Sequence, residues 1–326
     1  MSRKIDWQSR IGRRLRLRDL HVFFIVAQHG SMAKAAAQLG VAPPTVSEAI
    51  ADLEHGLGLQ LLDRSPHGVE PTRYGQALLK RTLIVFDELK QSVRDMEFLS
   101  DPTIGELRIG CVESVTASIL PSIIQRFGRQ YPRVVLHVDT LSSSPENAGL
   151  RDRKYDVFLN RPAKALSNEI IGHEMKIEFI FDDPLVVAAG SHTKWAGRRK
   201  IDLVDLLGEP WILPPLDSLY YSRVAKAFKA RGLDPPKSGV LTFSVHMRAN
   251  LLATGQYITM LPRSILNLDA AARSLKQLPV DLPVLPWPIA IVTLKNRVLS
   301  PVVERFIECT REVAKALSVR PRPPKP

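Results

Sequence analysis

A chain of 326 residues exceeds what one hydrophobic core usually serves, so two or three domains are expected, and an apolar content of 45% supports their globular folding. The net charge of +12 invites a polyanionic partner, yet residues 1–100 carry 14 Lys and Arg against 11 Asp and Glu, so charge alone does not locate a nucleic-acid site. Two cysteines argue against a disulfide-stapled secreted scaffold, and no stretch approaches the ~18 consecutive apolar residues of a membrane span; a cytoplasmic protein without membrane contact is expected.

Residues 1–14 read as a basic, flexible extension. The run Arg10, Arg13, Arg14, Arg16 and Arg18 serves either as a phosphate-contacting arm or as a solvated one. Leu20, Phe23, Phe24 and Ala27 recur at helical spacing and predict a first helix that ends at His29 and Gly30. Ser31 is placed to cap a second helix whose inner side is Met32, Ala35, Ala36 and Leu39. Pro43 and Pro44 start a third helix, where the first turn has no use for N–H donors. Val46, Ile50, Leu53 and Leu57 face inward, which leaves Pro43, Thr45, Ser47, Glu48 and Asp52 on the outer side of a helix short enough for a major groove. A hairpin follows, in which Arg64 suits bidentate phosphate binding and Thr72 a neutral phosphate contact.

The run from Gly30 to Gly75 resembles the amino-terminal domain of LysR-type transcriptional regulators. The resemblance rests on the Gly-Ser opening, the double alanine, the proline-led third helix, Leu-Glu at its close, Leu-Leu-Asp-Arg-Ser, and Pro-Thr-x-x-Gly. It implies a winged helix-turn-helix over residues 15–75, with Ser31, Pro43, Pro44, Thr45, Ser47, Glu48, Arg64 and Thr72 as candidate DNA-binding residues and double-stranded operator DNA as partner. Two positions depart from the family pattern. Ala42-Pro43-Pro44 stands where Ser-Gln-Pro is common, and Glu48 where arginine is often found; Glu48 is a reader of cytosine N4, a solvated helix residue or a partner for a nearby basic side chain.

From Gln76 to about Leu99 no proline or glycine intervenes, and Leu78, Thr82, Val85, Leu89, Val93 and Met96 recur every three or four residues. A long amphipathic helix and hinge over residues 76–104 are expected, its seam suited to a second copy of the chain. The resemblance implies a tetramer built from such dimers, and RNA polymerase is a candidate further partner of a regulator.

Beyond the hinge, strands are predicted at Leu107–Val112, Val134–Leu141, Asp156–Asn160, Leu185–Ala189, Trp211–Leu213, Val240–Phe243, Ile258–Leu261 and Ile289–Leu294. Helices are predicted at Ala117–Arg129, Glu146–Arg153 and Pro301–Leu317. The alternation implies mostly parallel sheets, and the whole an α+β multidomain chain. Its residues 105–318 resemble a two-lobed α/β, periplasmic-binding-protein-like sensor domain, and residues 319–326 read as a disordered tail.

Ligands of open α/β sheets sit beyond the carboxyl ends of strands, where helix amino termini offer N–H donors. Glu113, Ser114, Thr116, Ser142, Ser143, Ser144 and Asn160, with neighbouring Arg161, hold such places in one lobe; Asp217, Ser218, Ser244 and His246 hold them in the other. Each is also a helix-cap candidate. Together they fit a small polar or anionic effector, with Tyr220, Tyr221 and His246 leaving an aromatic one open. No cofactor and no metal are expected: metal-spaced Cys/His clusters, a Ser-His-Asp order and a Gly-rich phosphate loop are all missing, which argues against an enzyme. An architectural DNA-binding protein with a vestigial cleft and a solute-binding protein are the other readings considered.

Overall fold

The computed structural model describes residues 15–66, 68–141, 148–162, 174–267 and 274–319. It divides into two compact units, one running to Val93 and the other starting at Arg94. The 1–14 extension, the Ser142–Ser143–Ser144 run and residues 320–326 of the expected 319–326 tail lie outside the described residues, while Val319 ends a helix.

In the first unit, α1 (Leu17–His29), α2 (Met32–Leu39) and α3 (Pro43–Leu57) pack around Phe23, Val26, Ala35, Val46, Ile50 and Leu53. Phe23, Val46, Ile50 and Leu53 are fully buried; large side chains buried in this way contribute about 1.5–3 kcal/mol each. Pro43 and Pro44 occupy the first two positions of α3 as expected. The hairpin of β1 (Leu62–Ser65) and β2 (Gly68–Pro71) follows, with Arg64 opposite Val69. It is stitched to the end of α1, because the Val69 amide donates to the Gly30 carbonyl at 2.8 Å. Gly68 makes that approach possible: its φ is 134°, and a Cβ there would lie 2.7 Å from the Gly30 oxygen.

Helix α4 (Arg73–Ser100) spans 28 residues, three more at its start than the sequence suggested. A Cβ on Gly75 would stand 2.1 Å from the Leu61 carbonyl oxygen, so the glycine of the Pro-Thr-x-x-Gly motif lets the helix leave directly over the hairpin's base. The expected seam is split. Leu78 packs on the first unit's core and Thr82 is buried, whereas Val85, Leu89, Val93 and Met96 are exposed.

The second unit holds two five-stranded sheets. Lobe A contains β3 (Ile104–Val112), β4 (Arg133–Leu141), β5 (Val157–Asn160), β6 (Met175–Asp183) and β12 (Trp287–Leu294) in the order β4-β3-β5-β12-β6. Lobe B contains β7 (Leu185–Gly190), β8 (Trp211–Leu213), β9 (Val240–Leu241), β10 (Ile258–Pro262) and β11 (Leu275–Gln277) in the order β11-β7-β10-β8-β9. The sheets are mixed rather than mostly parallel. Strands β3, β4 and β5 pair in parallel, as do β8, β9 and β10, while β6, β7, β11 and β12 pair antiparallel. The cause is the crossover: β6 runs through Pro184 into β7 of the other sheet, and β12 returns the chain to lobe A.

Around lobe A lie α5 (Glu113–Thr116), α6 (Leu120–Gln130), α7 (Ala148–Arg151) and α10 (Pro301–Val319). Phe127 of α6 meets Phe306 of α10 edge-on at 5.5 Å within a core that includes Ile109, Cys111 and Leu159. Lobe B carries α8 (Leu219–Lys229) and α9 (Val245–Ala253), and Trp211 meets Phe228 of α8 edge-on at 5.4 Å. Among the described residues no helix is long and apolar enough to cross a membrane.

Candidate nucleic-acid interface and interlobe cleft

In the first unit, α3 presents Pro43, Pro44, Glu48 and Asp52 as exposed residues, with Thr45 and Ser47 half-buried beside them. Neither Glu48 nor Arg64 has a hydrogen-bond or ion-pair partner among the described residues, so both are available to an outside partner. Ser31 acts as an N-cap, its hydroxyl oxygen accepting from the Lys34 amide at 3.4 Å.

Thr72 requires a correction. Its hydroxyl donates to the Gln60 carbonyl at 2.8 Å and accepts from the Gly75 amide at 3.1 Å, so its one proton is spent inside the protein. It starts α4 and closes the hairpin, and is not a free donor for phosphate.

Sequence reasoning passed over Glu54. This residue of α3 accepts hydrogen bonds from the amides of Leu61 at 2.7 Å and Leu62 at 3.1 Å. One carboxylate oxygen therefore fixes the hairpin that carries Arg64 to the helix that carries the exposed face. The signal was present in the Leu-Glu pair at the helix end, since an acid there, against the helix dipole, needs another reason to be placed.

In the second unit, the residues beyond the strand ends are mostly engaged. Ser218 caps α8, accepting from the Tyr221 amide at 3.0 Å, and Ser244 caps α9, accepting from the Met247 amide at 3.2 Å. The Thr116 hydroxyl donates to the Val112 carbonyl at 3.3 Å, and Asn160 is buried, its side-chain oxygen accepting from the Arg161 amide at 2.7 Å. His246 is exposed and its Nε2 lies 3.1 Å from the amide nitrogen of Asn250 on its own helix. Asp217 is exposed and has no partner among the described residues. The expected anion-seeking helix ends are thus partly filled by their own caps.

Among the described residues, contacts at Glu113 and around the Arg161–Asp183 pair, which reaches Ser264 of lobe B, help join the lobes. The Glu113 carboxylate of lobe A accepts from the Val245 amide of lobe B at 2.6 Å. Arg161, after β5, donates to Ser114 at 3.0 Å, to the Trp287 carbonyl at 3.0 Å and to Asp183 at 2.7 Å. The Trp287 indole N–H returns a bond to the Arg161 carbonyl at 2.9 Å. Tyr220 is buried against Trp287, its ring centre 4.9 Å away, and its hydroxyl donates to the Met260 carbonyl; burial raises its pKa. An aromatic ring is therefore already in place here as part of the fold. Among the described residues no group of His, Cys, Asp and Glu is arranged to hold a metal ion.

Comparison with known proteins places both units. Residues 17–76 match the family described as bacterial regulatory helix-turn-helix protein, lysR family, and residues 100–315 match the LysR substrate binding domain. The chain is 26% identical over 288 residues to the HTH-type transcriptional regulator GbpR of Azospirillum brasilense, covering 88% of this chain and 83% of that protein. It is 28% identical over 309 residues to the DNA-binding transcriptional dual regulator OxyR of Escherichia coli K12, covering 94% and 96%. Among solved structures, full-length CbnR complexed with its target DNA shares the fold at a TM-score of 0.53 and 22% identity, over 92% of this chain and 100% of that one.

Proposed function

Because the chain belongs to the LysR family, and is therefore a DNA-binding transcription regulator with a substrate-binding domain rather than an enzyme, we propose how its residues divide that work. Residues 15–75 bind the duplex, 76–104 pair two copies, and 105–318 receive a small-molecule effector between lobes A and B. Pro43, Pro44, Thr45, Ser47 and Glu48 line the face that enters the major groove, Ser31 holds the helix before it, and Arg64 grips phosphate. The observation that carries this reading is the exposed face of α3 together with an unpaired Arg64 on a hairpin fastened to the same helix by Glu54.

The exposed run on α4 supports self-association. Val93, Met96 and Leu99 are 53%, 62% and 69% exposed, an apolar stripe that a second copy would cover. Two copies present two recognition helices about 34 Å apart, on successive turns of one face of the duplex. We assign tetramer formation, contact with RNA polymerase and residence in the cytoplasm to the same regulator reading. Glu113, Ser114, Thr116, Asp217, Ser218, Ser244 and His246 stand around the effector cleft, the caps serving mainly to position helices and Glu113 to join the lobes. The effector acts only through unequal affinity for two arrangements of the protein.

The test is retardation of a promoter fragment across a salt series. Arg64→Ala should weaken binding and reduce the slope of log affinity against log salt by about one, as loss of one phosphate contact requires. An unchanged slope removes Arg64 from the interface, and absence of any duplex preference by the intact protein at low salt overturns the DNA-docking reading.

A further inference from the structure

Helix α9 of lobe B receives a charged side chain from lobe A at its amino end. Its first turn contains no acid of its own, and Ser244 satisfies only the Met247 amide. The partial positive charge of that helix end is augmented by Arg248, which is 2% exposed and bonds to the Thr242 carbonyl and the Tyr220 hydroxyl, with no carboxylate partner among the described residues. Such a place attracts an anion. The anion is supplied from 132 residues away: Glu113, in the first turn of α5, seats one oxygen 2.6 Å from the Val245 nitrogen. Next to it, Ala117 packs on the lobe B cluster of Val186, Val245, Leu252 and Ile265, so an apolar contact and a charged one close the same end of the cleft.

We propose that Glu113 is a specificity-determining residue of the cleft. Its carboxylate latches the lobes through α9 and bars a carboxylate, phosphate or sulfate group of the effector from that helix end. The effector group that lies beside it is an uncharged or cationic hydrogen-bond donor. The reason is electrostatic. A second anion at the same N–H donors would face the resident one at contact distance, where like charges repel strongly out of water, whereas a donor gains the free lone pairs of Glu113. This inference rests on the effector-cleft reading above and narrows the small polar or anionic class to one without a negative group at this end.

The experiment uses the full chain as wild type, Glu113→Ala and Glu113→Gln, with amide hydrogen exchange read at α5 and the first turn of α9 in sodium acetate or sodium chloride of equal ionic strength. Glu113→Ala should speed exchange at residues 245–248 about tenfold, with α5 following, and acetate but not chloride should restore protection by taking the vacated place. Wild type should show no acetate dependence. Glu113→Gln, which keeps the acceptor and the bulk, should stay near wild type and ignore acetate, and it carries the test should the alanine variant fold poorly. Unchanged exchange in Glu113→Ala, or acetate protection of wild type equal to that of the variant, overturns the proposal. Retardation of the promoter fragment by Glu113→Ala is measured alongside. Its loss in wild type as well would remove the DNA-docking reading and leave the latch result standing.

Discussion

Arg161 and Asp183 form an ion pair at 2.7 Å whose side chains are 1% and 0% exposed. Asp183 is the last residue of β6 and Trp287, whose carbonyl accepts from the same guanidinium, is the first of β12, so one side chain gathers both strands that cross between the lobes. Asp183 also accepts from the Ser264 amide at 3.0 Å and from its hydroxyl at 2.5 Å, which extends the cluster into lobe B. Each guanidinium nitrogen of Arg161 and each carboxylate oxygen of Asp183 has at least one hydrogen-bond partner.

Breaking such a pair from one side strands a charge in the interior. Asp183→Asn is expected to destabilise the second unit by about 3–5 kcal/mol, and the double change Arg161→Met with Asp183→Asn by clearly less than the two single changes added. Urea unfolding followed through tryptophan fluorescence measures both, with Trp287 reporting on the crossover itself. A loss below about 1 kcal/mol for Asp183→Asn would mean that water reaches the pair.

The wing gives a second expectation, at the level of function rather than stability. Glu54→Ala removes the acceptor of two amides and frees the Arg64 hairpin from α3 without touching the apolar core. DNA affinity should fall by about tenfold, with a stability loss of about 1–3 kcal/mol in the first unit. Glu54→Gln, which keeps one acceptor oxygen, should lie between. Fluorescence anisotropy on labelled duplex reads the first quantity and thermal unfolding the second; full affinity in Glu54→Ala would show that the hairpin is held by Gly30 and Gly75 alone.

These two clusters show what the chain's order could and could not reveal. The amino-terminal helices were legible because each carries its own punctuation: Ser31, Gly40, and Pro43-Pro44 act within one turn of where they stand. Strand β6 was not, since it is an edge strand whose exposed and half-buried residues follow no strict alternation, and its register against β12 shifts at Ile289 and Ala290. The caps Ser218 and Ser244 were readable as caps or as ligand contacts, and local hydrogen bonding decided for caps. Thr72 reads as a phosphate contact by its place in the hairpin, but its hydroxyl is engaged as a cap instead of standing free. The Glu113 to Val245 bond joins residues from different lobes, and no local pattern announces a partner that distant.

Cys111 sits in β3 with no exposure, and burial pushes its thiol up to about 12. The nucleophile is the thiolate, so the folded protein should leave Cys111 unmodified by a thiol reagent at pH 7.5 over times that label the urea-unfolded chain completely. Because the folded value is raised above the unfolded value near 9.0, the thiol's contribution to stability is complete below pH 9 and declines as pH rises toward 12. Mass spectrometry after timed labelling checks the reactivity; rapid native labelling at Cys111 would refute it.

The opposite sign applies on the far side of lobe A. Arg311 of α10 grips Glu178 of β6 with two bonds, at 2.6 and 2.7 Å, and the guanidinium holds that carboxyl below its ordinary 4.5. A carboxyl whose folded pKa is lowered lends its stability above the unfolded value and loses it as pH falls through the folded one. The pair is partly solvated, with side chains 48% and 33% exposed, so screening limits its worth to about 1 kcal/mol. Arg311→Ala should therefore lower the stability of the second unit by about that amount at pH 7, and by progressively less as pH drops below 4.5, until both proteins bind the proton alike. Parallel urea titrations of the two proteins at pH 7 and in the acid range decide it: a difference that stays constant with pH would assign the effect of Arg311 to packing of its aliphatic stem on β6 rather than to its charge.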